Sequence, residues 1–151
     1  MESSFERFVG TWRLLSMETH TDSGRIVYPL GQDASGVVIY SEAGYMNVSI
    51  MAAERPVFAS AAGIGQRGTT AEMVAAMKTY LSYAGPFEVL DDRVIHHVEI
   101  SLFPNWIGTD QIRFYRFVDQ RLYLSTEPLA TNGIYTGRRA LLSWERASPS
   151  S

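Results

Sequence analysis

The 151-residue sequence predicts a mainly β protein, a closed antiparallel barrel of about eight to nine strands with one helical insertion. Three observations lead there. Short runs of alternating apolar and polar residues recur along most of the chain, bounded by Gly, Pro, Asn, Asp or Ser. Aromatic residues make up 12% of the chain, which favours strands and an aromatic-lined interior. A meander of antiparallel strands must also hide its first and last edges, and closing on itself is the simplest way. A two-sheet sandwich is the competing architecture.

The first strand runs from Phe8 to Thr19, with Trp12 and Leu14 on one face and Thr11 and Arg13 on the other. Thr21-Asp22-Ser23-Gly24 is a turn signal, because Asp and Ser bond their own backbone and Gly tolerates positive φ. Strands follow at Arg25 to Tyr28, Gly36 to Tyr40 and Tyr45 to Met51, with Glu42-Ala43-Gly44 as a turn between the last two. The Ala/Gly-rich stretch from Pro56 to Gly68 reads as a loop. Thr69 and Glu72 then sit at the spacing of a capping box, so a helix starts here, and Met73, Met77 and Tyr80 give it an apolar side expected to pack across the barrel or its mouth. Tyr83 to Leu90 reads as a bent strand with Gly85-Pro86 marking an edge or bulge. Arg93 to Ser101, Asp110 to Val118, Arg121 to Glu127 and Arg138 to Arg146 complete the strands, the last two joined by a Pro128 to Gly137 loop.

Composition narrows the function classes. With 46% hydrophobic and 19% charged residues the chain reads as one globular domain over residues 1–151, an ordered core over 5–147 and a frayed tail over 148–151. A net charge of -3 supplies no basic field for a phosphate backbone or an acidic membrane. No apolar window approaches the roughly 18–20 residues that cross a bilayer. The absence of cysteine excludes a disulfide framework, a thiol nucleophile and a thiolate metal site. The start, Met1 to Phe8, lacks the basic and apolar runs of a secretory signal, so the expected compartment is the cytoplasm. A homodimer is left open.

Val9-Gly10-Thr11-Trp12-Arg13-Leu14 looks like the Gly-x-Trp signature of lipocalin and calycin barrels. The pattern continues through Tyr28-Pro29-Leu30-Gly31, Gly36-x-x-x-Tyr40, Gly44-Tyr45-Met46, the segment from Tyr80 through Gly85, Val94 to Glu99, Pro104-Asn105-Trp106-x-Gly108 and Leu142 to Arg146. Over nearly the whole chain the sequence resembles the bacterial and fungal lipocalin-like domain proteins. The resemblance implies a lipocalin-like barrel in which Arg146 stacks on Trp12 to plug the closed end. Related small barrels occur in natural-product pathways, some as cyclases, an analogy at the level of the fold.

Several residues could carry chemistry. His96 shares a face with Val94, Val98 and Ile100, which makes it the candidate inward imidazole, able to act as acid or base or to be a satisfied interior histidine. In the opposite register His97 and Glu99 are the inward pair. Arg113 alternates with Tyr115 and Phe117, and turned inward it could hold a carboxylate or enolate oxygen. With Tyr83 as a third group, His96 and Arg113 form the candidate catalytic set. Tyr45, Asn47, Phe87, His97, Glu99, Trp106 and Tyr115 are the candidate ligand contacts, aromatic and polar groups suited to small-molecule recognition. No metal site is expected, because adjacent histidines on a strand point to opposite faces. Gly63-x-Gly65-x-x-Gly68 spells a dinucleotide fingerprint but lies outside any strand-turn-helix crossover, and no cofactor is expected.

The leading expectation is therefore binding of a small, largely apolar or amphipathic organic molecule, lipid-like, aromatic or polyketide-like, in the barrel. The alternative is a cofactor-independent cyclase or isomerase that folds such a molecule in the same cup. A filled barrel acting as an interaction module is the third reading.

Overall fold

The computed structural model describes residues 2–59, 68–126 and 139–148. The chain enters through a helix rather than a strand, α1 (Ser4–Phe8). Its signal is a capping box: the Ser3 hydroxyl accepts from the Glu6 amide at 3.2 Å, and the Glu6 carboxylate accepts from the Ser3 amide at 2.9 Å. The short helix carries Phe8, fully buried, into one end of the barrel.

Ten strands follow. They are β1 (Gly10–His20), β2 (Ile26–Val27), β3 (Ser35–Tyr40), β4 (Tyr45–Met51), β5 (Tyr80–Val89), β6 (Arg93–His97), β7 (Ile100–Ser101), β8 (Asp110–Val118), β9 (Arg121–Ser125) and β10 (Arg139–Arg146). Eight of them pair in the order β1-β3-β4-β5-β6-β8-β9-β10, and β10 returns to β1 from Trp12 opposite Arg146 to His20 opposite Arg139. That last pairing makes the fold a closed antiparallel barrel and excludes the sandwich. β2 pairs with the end of β1, and β7 pairs with β5.

The floor of the barrel is built around one glycine. Arg146 lies 4.2 Å over the Trp12 ring, and its guanidinium donates to the carbonyls of Val9 (3.0 Å) and Arg7 (2.7 Å). Gly10 has φ +135°, and a Cβ there would stand 2.6 Å from Arg146 Nη1. Glycine is what lets the arginine reach across. Above it Phe8 packs edge-on against Tyr40, Tyr115 and Phe117, closing this end with rings.

Two elements depart from expectation. The strand read over 93–101 is broken. Phe87 pairs with His96 and Ala84 with Ile100, so Gly85 and Pro86 face three residues, a β-bulge. A Cβ on Gly85 would collide with the His97 carbonyl, which is why the bulge sits opposite that glycine. Beyond it the alternation slips: His96 and Val98 face inward, but Ile100 is turned out, 70% exposed. The second departure is α2 (Thr70–Lys78), which does start with the Thr69–Glu72 capping box. None of its residues is buried, and Met73, Val74 and Met77 are exposed rather than packed across the barrel. The helix is held instead by Arg55, which donates to the Ala76 carbonyl at 2.9 Å and to the Thr79 hydroxyl at 3.1 Å. Tyr80, read as part of the helix, belongs to β5 opposite Met51.

Residues 60–67, with Gly63 and Gly65 of the dinucleotide-like pattern, the whole Pro128 to Gly137 loop with residues 127 and 138 beside it, and the end of the tail lie outside the described residues. Among the described residues no helix is long and apolar enough to cross a membrane.

Candidate functional site

Inside the barrel, above the aromatic floor, is a cavity of about 220 Å³. Its wall is mostly aliphatic, from Met17 on β1, Val38 on β3, Val48 and Ile50 on β4, Leu81 on β5, Leu124 on β9, and Ala140 and Leu142 on β10. Strand alternation puts every second residue of these runs inward, so apolar patterning and cavity are one fact seen twice. The polar or amphipathic members of the wall are Tyr83, His96, Trp106, Arg113 and Trp144.

His96 is the centre of this group. It is buried, and both ring nitrogens are engaged: Nε2 with the Tyr40 hydroxyl and Nδ1 with the Tyr83 hydroxyl, each at 2.8 Å. Burial, reinforced by the nearby Arg113 charge, pushes the pKa of His96 down to about 3, so the imidazole is neutral at ordinary pH. Burial likewise raises both tyrosines, Tyr40 well above its usual value, and keeps them protonated. Arg113 donates to two neutral acceptors, the Ile112 carbonyl at 2.9 Å and Gln111 Oε1 at 3.1 Å. Trp106, on a single 3₁₀ turn (Pro104–Trp106), meets the Tyr83 ring edge-on at 5.7 Å. Trp144 is 1% exposed, and its indole N–H has no acceptor among the described residues.

The structure thus brings together His96, Arg113, Tyr83 and Trp106. It puts the other candidates elsewhere. Phe87 and Tyr115 face inward but belong to the packed floor. Phe87 stacks on Phe5 at 5.2 Å, and Tyr115 packs on Phe8 while its hydroxyl donates to the Leu90 carbonyl at 2.7 Å. Tyr45 and Asn47 lie on the outside of β4, whose alternate residues fill the core, and Glu99 lies exposed in the bend between β6 and β7. They border a shallow depression on the outer face of β3, β4 and β5 together with Ile39 and Ile100. His97 is also outside, between Asp110 (2.7 Å) and Glu88 (3.1 Å), whose carboxylates raise its pKa. One step along a strand reverses the face, so His96 inside requires His97 outside.

Sequence reasoning missed Tyr40 and Trp144. Trp144 had a readable signal, since it alternates with Leu142 and Ala140 on the strand that ends at the Arg146 plug. Tyr40 had none beyond its alternation with Val38. Its partner His96 is 56 residues away, and barrel closure alone brings them together.

Comparison with known proteins agrees with this geometry. The profile of the lipocalin-like domain matches residues 9–147. The chain is also similar to the 4'-hydroxy-3'-methoxypropiophenone carrier protein ppsC of Aspergillus oryzae, 43% identical over 88 residues, covering 52% of this chain and 78% of that protein. With its Gly-x-Trp floor, its closed barrel and a match spanning nearly its whole length, the chain belongs to the lipocalin-like domain family.

Proposed function

We propose that the protein is a carrier that holds a small, largely apolar organic molecule inside its barrel, of about the size of one substituted aromatic ring. The observation that carries this reading is the interior cavity of about 220 Å³, apolar over most of its wall with a few buried polar groups at fixed places. A cavity of roughly 150 Å³ already accepts benzene, so a ring with short substituents fits and a long acyl chain or a fused polycycle does not. The relative that carries a hydroxy-methoxy aryl ketone supports the same size and chemistry.

The cyclase or isomerase reading is not favoured. Proton transfer near neutral pH needs a group that titrates there, whereas His96 is held neutral to about pH 3 with both nitrogens occupied. We assign His96, Tyr83 and Arg113 to orienting the guest rather than to converting it. We also infer that the carrier works in the cytoplasm, since a chain without cysteine has no disulfide to gain from an oxidising compartment, and that nucleic acid is not a partner, given the net charge of -3.

Thermal shift and calorimetry with 4'-hydroxy-3'-methoxypropiophenone test the reading. Binding is expected to raise Tm in the wild type, the added stability being about 2.7 kcal/mol at a ligand concentration 100 times Kd. Ala140→Phe, which fills the cavity from β10, should abolish the shift. Equal shifts in both proteins would place the ligand elsewhere and overturn the assignment.

A further inference from the structure

We propose that the cavity selects a guest with a neutral acceptor oxygen, a ketone carbonyl above all, through two hydrogen-bond donors: the Tyr83 hydroxyl and the Trp144 indole N–H. This deepens the binding role proposed above and rests on it.

The direction of the hydrogen bonds at His96 leads to Tyr83. A neutral imidazole has one N–H and one bare nitrogen, so it donates to one of its two tyrosines and accepts from the other. The tyrosine that receives the ring proton must use its own O–H elsewhere. Tyr40 has nowhere else to use it: it is buried between the edges of Phe8 and Phe87, lies off the cavity wall, and makes no second hydrogen bond among the described residues. A buried O–H without an acceptor is a costly arrangement. Tyr40 therefore donates to Nε2, the ring proton sits on Nδ1, and Nδ1–H is given to the Tyr83 oxygen. Tyr83 lines the cavity, and its O–H is the group left to point at a guest.

Trp144 supplies the second donor by a separate route. Indole has an N–H and no acceptor; Trp144 lines the cavity, and its N–H is buried with no partner among the described residues. Arg113 adds positive charge nearby, with hydrogen bonds to two neutral oxygens, those of the Ile112 carbonyl and the Gln111 amide. The one bare nitrogen in the wall, His96 Nε2, is occupied by Tyr40. The polar part of the cavity is thus donor-rich, and a guest that brings an acceptor satisfies it, whereas a pure hydrocarbon leaves both donors unpaired.

Propiophenone and propylbenzene share a carbon skeleton and differ by the carbonyl oxygen. Calorimetric titration of the full chain should give the ketone a roughly tenfold advantage in affinity. Tyr83→Phe should remove most of that advantage, read as the ratio of the two affinities within the same variant, and Trp144→Phe should reduce it too. Nitrogen-15 NMR of the wild type provides a readout independent of any variant's folding, with His96 Nδ1 expected protonated and Nε2 bare. Equal affinity for the two probes, a ratio unaltered in Tyr83→Phe, or a proton on Nε2 would each overturn the donor assignment. If neither probe binds, the failure is that of the carrier role itself, and the donors fall with it.

Discussion

At the scale of single residues the protein depends on a few groups with no freedom to change. His96 makes stability depend on acid. The unfolded ring has its ordinary pKa of 6.5 and the buried ring titrates at about 3, so below pH 6.5 the unfolded chain binds a proton that the native state refuses. Stability should therefore fall as pH drops through that window, by about 1–2 kcal/mol between pH 6.5 and 5. His97 works in the opposite sense. Its pKa is raised, so its contribution is present at low pH and lost as pH rises through the folded value, and solvent around the exposed ring keeps it small. Urea unfolding of wild type and His96→Gln across this range checks the claim, since the variant should show the flatter profile. Parallel profiles would exclude His96 as the source. Tyr40→Phe should cost about 1–3 kcal/mol by leaving Nε2 buried without a donor. Gly10→Ala combines a strained φ with a clash at Arg146, and we expect a loss of about 2–4 kcal/mol in the same assay.

At the scale of elements, the bulge between β5 and β6 is the device that positions the site. It lets His96 and Tyr83 come from adjoining stretches of wall and still meet at 2.8 Å. Gly85→Ala should push the His97 carbonyl away, misplace the neighbouring ring, and weaken ligand binding far more than an ordinary strand substitution does. Circular dichroism with a binding isotherm separates loss of fold from loss of the site. α2 is the converse case. Its capping box holds a helix that buries nothing, so Thr69→Ala should fray it by about 1 kcal/mol in hydrogen exchange while global Tm barely moves. A large fall in Tm would mean that α2 contributes to the core after all. The capping box at Ser3 and Glu6 was as legible as the one at Thr69 and Glu72. Five residues are too short for a periodic apolar pattern, so the cap is the one local mark of this helix.

At the scale of the whole molecule, closure of β1 on β10 turns eight strands into a container, with β2 and β7 as additions at its edge. Its two ends differ: Phe8, Trp12, Phe117 and Arg146 fill one, while the aliphatic upper wall leaves room for a guest. Most of the strands and their order are legible in the sequence, because alternation and turn residues are local properties written in neighbouring positions, and the family resemblance adds the barrel class and the plugged floor. The sequence also singled out His96, Tyr83, Arg113 and Trp106. What it did not decide was which polar residues meet. Tyr45, Asn47, His97 and Glu99 were separated from the cavity by strand parity and the slip at the bulge, and parity becomes definite only when pairing sets which face is inside. The meeting of Tyr40, Tyr83 and His96, and the burial of the Trp144 indole N–H, belong to tertiary structure alone, since residues far apart in sequence become neighbours only across a closed wall.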